Sequence, residues 1–317
     1  MSLSEQLGGP LPHGRGSKER LLLAPKDFVA SADAMQRAWT LDESLSYARW
    51  LATSHYENFH VVSFLLPKHL HQDFYNVYCF CRWADDLGDE FEDQTECLRL
   101  LSWWRVELEA MYGGQARHPV FVALQGTVKR HKLPIGPLND LIRAFEQDQH
   151  VARYRTYDDL FQYCRWSANP VGRLVLYLCG YSDERRQILS DATCTGLQLA
   201  NFWQDVTVDW DKDRVYLPGA LDDDIGARRF TPEFRQAMIE GVRVARGLFE
   251  KGLALPGMVN RRLAVDLELF SQGGIRVLDK IEAQGYDVLK QRPRVGKVER
   301  VGILLRAVLR RGLIAAA

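Results

Sequence analysis

The sequence has no surplus charge of either sign. Its 41 lysines and arginines balance 41 aspartates and glutamates, which excludes a nucleic-acid partner held by bulk electrostatics. No apolar run reaches the roughly 18–20 residues that a membrane span needs. The N-terminus lacks a charged-then-apolar export signal, so a cytoplasmic location is expected. No glycine-rich dinucleotide fingerprint occurs, which argues against a bound nicotinamide. Six cysteines, at positions 79, 81, 97, 164, 179 and 194, make no Cys-x-x-Cys pair and no zinc-spaced cluster with histidine. They read as reduced thiols in an apolar interior. Sustained strand-like alternation is missing as well.

What remains is helical periodicity. Residues 1–27 are rich in glycine, proline, serine and charge, and residues 1–40 are expected to form a loose N-terminal arm. From Leu41 onward, apolar residues recur at three- and four-residue steps between prolines at 67, 119, 134, 137, 170, 218, 232, 256 and 293. The pattern predicts about eight to ten helices, at roughly 41–54, 69–91, 95–112, 118–131, 137–150, 157–179, 184–209, 232–253, 258–290 and 297–312. Residues 41–317 are therefore expected to form one all-α domain.

Two acidic motifs interrupt this pattern. The first lies in "YCFCRWADDLGDE", residues 78–90. Phe74, Val77, Tyr78, Cys81 and Ala84 step along one side of the helix, and Asp85 and Asp89 continue that stripe at four-residue spacing. Arg82 lies one turn before them on the same side, while Asp86 and Glu90 form a second pair about 100° around. Like charges at i,i+4 repel, and acids at a helix C-terminus oppose its dipole. A solvated acidic helix end is the plain alternative, but a divalent cation would compensate both penalties.

The second motif lies in "QLANFWQDVTVDWDKDRVYLP", residues 198–218. Asn201, Asp205 and Asp209 form one stripe, with Gln198 a turn earlier, on a helix that is otherwise apolar all round and so expected to be buried. Buried carboxylates must be paired or hold metal. One outcome is an internal salt-bridge network with the arginine of the Lys-Asp-Arg segment. The other is that the two stripes face each other across a cavity as an oxygen-rich cage for Mg²⁺, suited to ionising a diphosphate ester.

The paired motifs, with "DRVYLP" at 213–218, resemble those of the squalene/phytoene synthase family over roughly residues 50–290. The resemblance implies an isoprenoid synthase helical fold around a central cavity. It also implies Mg²⁺-assisted loss of diphosphate from a prenyl diphosphate substrate. It assigns metal binding to Asp85, Asp89, Asn201, Asp205 and Asp209. It places Tyr78, Arg82, Gln198, Arg214 and Tyr216 around the diphosphate and cation, Tyr163 in the central cavity, and Phe59 in a front motif.

Three stretches depart from the family pattern. Gln204 stands where an arginine is usual, Tyr56 and Asn58 stand where serines help bind phosphate, and the mid-chain segment reads Ala168-Asn169-Pro170-Val171-Gly172. Together these resemble the hydroxysqualene synthase branch of bacterial hopanoid pathways, with Asn58 and Gln204 expected at the substrate. That resemblance implies presqualene diphosphate as substrate: Tyr78, Tyr163 and Phe59 shield the cation, Arg82, Arg214 and Tyr216 assist diphosphate loss, and water captures the cation. Condensation of two prenyl diphosphates to presqualene diphosphate, squalene or phytoene is the alternative. A non-catalytic assembly factor with the same fold is the alternative of another class. The tail "VGILLRAVLRRGLIAAA" reads as a surface helix, with a weak interfacial membrane anchor as its second reading.

Overall fold

The structure, a computed structural model, describes residues 22–54 and 66–310. In chain order its helices are α1 (Pro25–Ala30), α2 (Ala32–Gln36), α3 (Leu41–Ser54), α4 (His71–Asp89), α5 (Gln94–Tyr112), α6 (Pro119–His131), α7 (Ile135–Asp148) and α8 (Tyr157–Ser167). They continue with α9 (Asn169–Leu178), α10 (Glu184–Gln204), α11 (Val206–Trp210), α12 (Asp222–Gly226), α13 (Pro232–Gly252), α14 (Arg261–Ala283) and α15 (Lys297–Arg310). Among the described residues extended pairing is limited to a single bridge, Arg153 to Val215.

Local chemistry sets the helix ends. Asp93, Thr156, Asp183, Thr231 and Asn260 each accept a hydrogen bond from a first-turn backbone N–H of the helix that follows. Pro25, Pro119, Pro170 and Pro232 sit in first turns, where a missing N–H costs nothing.

Three expectations are corrected. Residues 25–36 are not a loose arm: Phe28 on α1 is fully buried against Trp39, Tyr47, Trp83 and His118. The helix expected over 157–179 breaks at Ala168, two residues before Pro170, whose ring nitrogen has no hydrogen to give the carbonyl four residues back. The helix expected over 184–209 bends at Asp205, φ −107° and ψ 15°. There the ladder persists, since the Asp205 N–H donates to the Asn201 carbonyl at 2.9 Å and the Asp209 N–H to the Asp205 carbonyl at 2.8 Å.

The helices close around two main cores. One joins Tyr47, Phe80, Trp83, Trp104 and Phe121 from α3–α6, and the other joins Leu160, Trp203, Phe234, Phe249 and Leu278 from α8, α10, α13 and α14. Helix α4 packs on α3, α5, α6, α7 and α9, while α10 packs on α8, α9, α13 and α14. The two acid-bearing helices thus share α9 as a neighbour without packing closely on each other. The space between their part-exposed acid faces, bridged where Arg214 reaches Asp89, is termed the cleft.

Gly172 sets how closely α9 meets α10. A Cβ there would lie 2.3 Å from Ser190 Oγ and 2.5 Å from Cys194 Sγ. The Thr195 hydroxyl donates to Asn169 Oδ1 at 2.8 Å across the same seam.

Candidate active site

Helix α4 forms one wall of the cleft. Its packed face is Phe80, Trp83, Ala84 and Leu87. Tyr78, Cys81, Arg82 and Asp85 lie half-exposed on another face, and Asp89 is exposed at its end. Asp86 is 2% exposed and takes Arg82 Nη2 at 2.5 Å. Arg82 also reaches Asp85 and Glu90 at 3.7 Å each. The guanidinium expected at a phosphate is therefore engaged with carboxylates of its own helix. Burial pushes the Asp86 carboxyl up to about 7 against the pull of Arg82. Asp85 is raised too, by burial and by Asp89 one turn on.

Helices α10 and α11 form the second wall. Asn201 is exposed and Gln198, Asp205 and Asp209 are half-buried, so this stripe opens onto the cleft rather than into solid interior. Burial and then Asp205 push the Asp209 carboxyl up to about 7. Arg292, from the segment after α14, clasps Asp205 through Nε and Nη2, the latter at 3.0 Å. Gln204 Nε2 donates to the Pro293 carbonyl at 2.6 Å, pinning the segment that delivers Arg292. Gln204 thus helps hold in place the arginine that reaches Asp205.

The bridge at Arg153 and Val215 orients the rest of the site. The Tyr154 N–H donates to the Val215 carbonyl at 3.0 Å and the Val215 N–H to the Ala152 carbonyl at 2.8 Å. Tyr216 is thereby stacked on Phe202 (centroids 3.8 Å apart, planes 5° apart) and on Tyr154 (5.4 Å, 14°), with Tyr163 6.0 Å away. The Tyr163 hydroxyl donates to Asp148 Oδ2 at 2.9 Å, while Asp148 Oδ1 is buried without a hydrogen-bond partner. Burial pushes the Asp148 carboxyl up to about 7, opposed by Arg214 and the Tyr163 hydroxyl. Arg214 lies 3.4 Å from Asp89 and ties the two walls together. Burial alone would weaken its charge, but Tyr216, Asp148 and Asp89 more than offset this.

Phe59 and Asn58, like Tyr56, lie outside the described residues. Sequence reasoning missed Asp148, Tyr154 and Arg292. Asp148 had a signal, since it is an acid in the last turn of α7, opposing the helix dipole as the α4 acids do. Arg292 had none, being 87 residues from its partner.

The donor set of both walls is carboxylate and amide oxygen, which suits a hard divalent cation. On each wall one acid, Asp85 or Asp209, is raised by burial and then by the acid one turn away, which a cation would relieve. Among the described residues no three acidic, histidine or cysteine side chains are close enough to hold one ion. Arg214 and Arg292 engage one acid of each pair instead.

Residues 52–299 match the family model described as squalene/phytoene synthase. The chain belongs to the squalene/phytoene synthase family. Curated family members similar to it include phytoene synthase 1, chloroplastic, of Arabidopsis thaliana, 29% identical over 265 residues that cover 78% of this chain and 62% of that one. Another is phytoene synthase of Arthrospira platensis, 29% identical over 308 residues that cover 89% and 98%. The chain therefore spans less than two thirds of the plant enzyme. Among solved structures, squalene synthase HpnC from Alicyclobacillus acidocaldarius is 45% identical, with a TM-score of 0.74 over 78% of this chain and 95% of that one. A dehydrosqualene synthase at 20% identity and TM-score 0.73, over 86% and 98%, shares the fold. This all-α, single-domain isoprenoid synthase fold is the one the sequence predicts.

Proposed function

We propose that the protein converts presqualene diphosphate to hydroxysqualene and diphosphate with the help of Mg²⁺. The observation that carries this reading is a cleft with oxygen-donor walls and an aromatic interior, in a chain 45% identical to a squalene synthase. In it Tyr163, Tyr216 and Phe202 pack together, with the half-buried Asp148 carboxylate on the Tyr163 hydroxyl.

Asp85 and Asp89 on one wall, with Asn201, Asp205 and Asp209 on the other, would hold the metal. Mg²⁺, when bound, supplies neutralisation of the leaving diphosphate. Arg214 and Arg292 are placed to take diphosphate oxygens as their carboxylate partners turn to the cation. The C–O bond to diphosphate breaks with its electron pair on the leaving group. The π faces of Tyr163, Tyr216 and Tyr78 then shield the allylic carbocation left after ring opening. Water adds to that carbon, and Asp148, with one oxygen unpartnered, accepts the proton released.

The runner-up is head-to-head condensation of two prenyl diphosphates, favoured by the phytoene synthases among the relatives. Arg292 bears on the choice, since it restores beside Asp205 a charge that Gln204 does not supply. Incubating purified protein and Mg²⁺ with either farnesyl diphosphate or presqualene diphosphate, followed by mass spectrometry of the extract, separates the two. Hydroxysqualene from presqualene diphosphate, with farnesyl diphosphate untouched, is the expected result. Consumption of farnesyl diphosphate alone would establish the runner-up.

A further inference from the structure

Helix α15 packs on α14 by its less apolar side. Ala307, 5% exposed, is the buried residue of that side. Glu299 is held there by Arg276 at 2.7 Å and Lys280 at 3.0 Å, and Arg306 and Arg310 line the groove between the two helices. The opposite side is aliphatic and open. Val298 is 86%, Val301 54% and Leu305 49% exposed, and steps of three and four residues put them on one stripe. Leu304 and Val308 adjoin it, half-buried. An amphipathic helix ordinarily turns its apolar stripe to the core; this one turns it away.

The charge around the stripe selects its occupant. Arg306 and Arg310 on the same helix are exposed, and its acid, Glu299, is already neutralised by α14. A second copy of the chain would bring the same positive charges against these, a repulsive match. An anionic lipid surface accepts both the aliphatic stripe and the basic flank.

We propose that the Val298–Val301–Leu305 face of α15 docks this protein on an anionic membrane surface. Helix α15 begins just after the segment that places Arg292 on Asp205 and Pro293 on Gln204. Docking would therefore set one rim of the cleft beside the bilayer, where a long-chain apolar substrate or product partitions. The proposal does not rest on the reaction, since its test uses no substrate.

The test is flotation of the full chain with vesicles of phosphatidylcholine alone, or of phosphatidylcholine mixed with phosphatidylglycerol. The wild type is expected to float with the mixed vesicles, to be left behind by the neutral ones, and to be released by about 0.5 M salt. Val301→Ser with Leu305→Ser should lower the bound fraction about tenfold while leaving the melting temperature unchanged. Arg306→Glu with Arg310→Glu, which keeps the stripe intact, should also release the protein and covers the case in which the serine variant folds poorly. Absence of flotation at low salt overturns the proposal, as does undiminished binding by both variants. Wild-type dimers that the serine variant dissociates would assign the face to a second copy instead.

Discussion

Asp86 and Asp148 carry the most information at the residue scale. Both are acids that burial raises to about 7, yet they serve opposite ends. Asp86 is closed off by Arg82, so Arg82→Ala would leave a buried carboxylate without its cation and cost about 3–5 kcal/mol. Denaturant unfolding checks this, and an unmoved midpoint would return Arg82 to the cleft. Asp148 keeps one oxygen free beside Tyr163. If it accepts the proton in water capture, it must be ionised, so kcat should fall as pH drops below about 7. Asp148→Asn should lower kcat about a hundredfold and flatten that acid limb; an Asn variant that keeps the wild-type pH profile contradicts the role. The cleft acids were legible because Asp85/Asp89 and Asp205/Asp209 repeat at helical spacing, which no solvated surface requires. Asp148 shares its helix with Asp140 and Glu146 but has no acid one turn away, so only its place at the helix end, and no period, could betray it.

Helices were legible where they are long and proline-bounded, because first-turn prolines and capping side chains mark their starts. Helices α1 and α2 were not, since at 6 and 5 residues they are too short to show a period. Phe28 nonetheless closes the aromatic core, so Phe28→Ala should destabilise the protein by about 3–5 kcal/mol, read from thermal or urea unfolding. A loose arm would show no change. His118, at the start of α6, lies among Phe28, Trp83, Trp103 and Trp104, and its Nδ1 accepts from the Val120 N–H. Burial holds its pKa well below the usual 6.5. The unfolded chain then binds the extra proton first, so stability is full above about pH 6.5 and declines by up to about 1.4 kcal/mol per unit as pH falls below it. His118→Phe should remove this share of the slope; unfolding curves at several acidic pH values decide, and identical slopes would contradict it. The seam at Gly172 belongs to the same scale. Gly172→Ala must displace Ser190 and Cys194, with an expected loss of about 1–3 kcal/mol, whereas an unchanged Tm would mean that α9 and α10 separate freely.

At the scale of the whole molecule, α9 packs on both acid-bearing helices, α4 of one core and α10 of the other, with the acid motifs on either side of the cleft. The all-α class was legible from periodicity alone, and the paired motifs from their spacing. How the walls are tied was not, because Arg214 to Asp89 and Arg292 to Asp205 join residues 125 and 87 positions apart. Periodicity reports neighbours within one helix, and such long-range pairs leave no trace in it. In the proposed reaction both walls act on one diphosphate, and diphosphate release from presqualene diphosphate measures this most directly. Release should require Mg²⁺, stop with a chelator, resume when Mg²⁺ is restored, and fall about a hundredfold or more in Asp85→Ala and Asp209→Ala alike. Release that survives chelation, or that survives loss of either carboxylate, would contradict it.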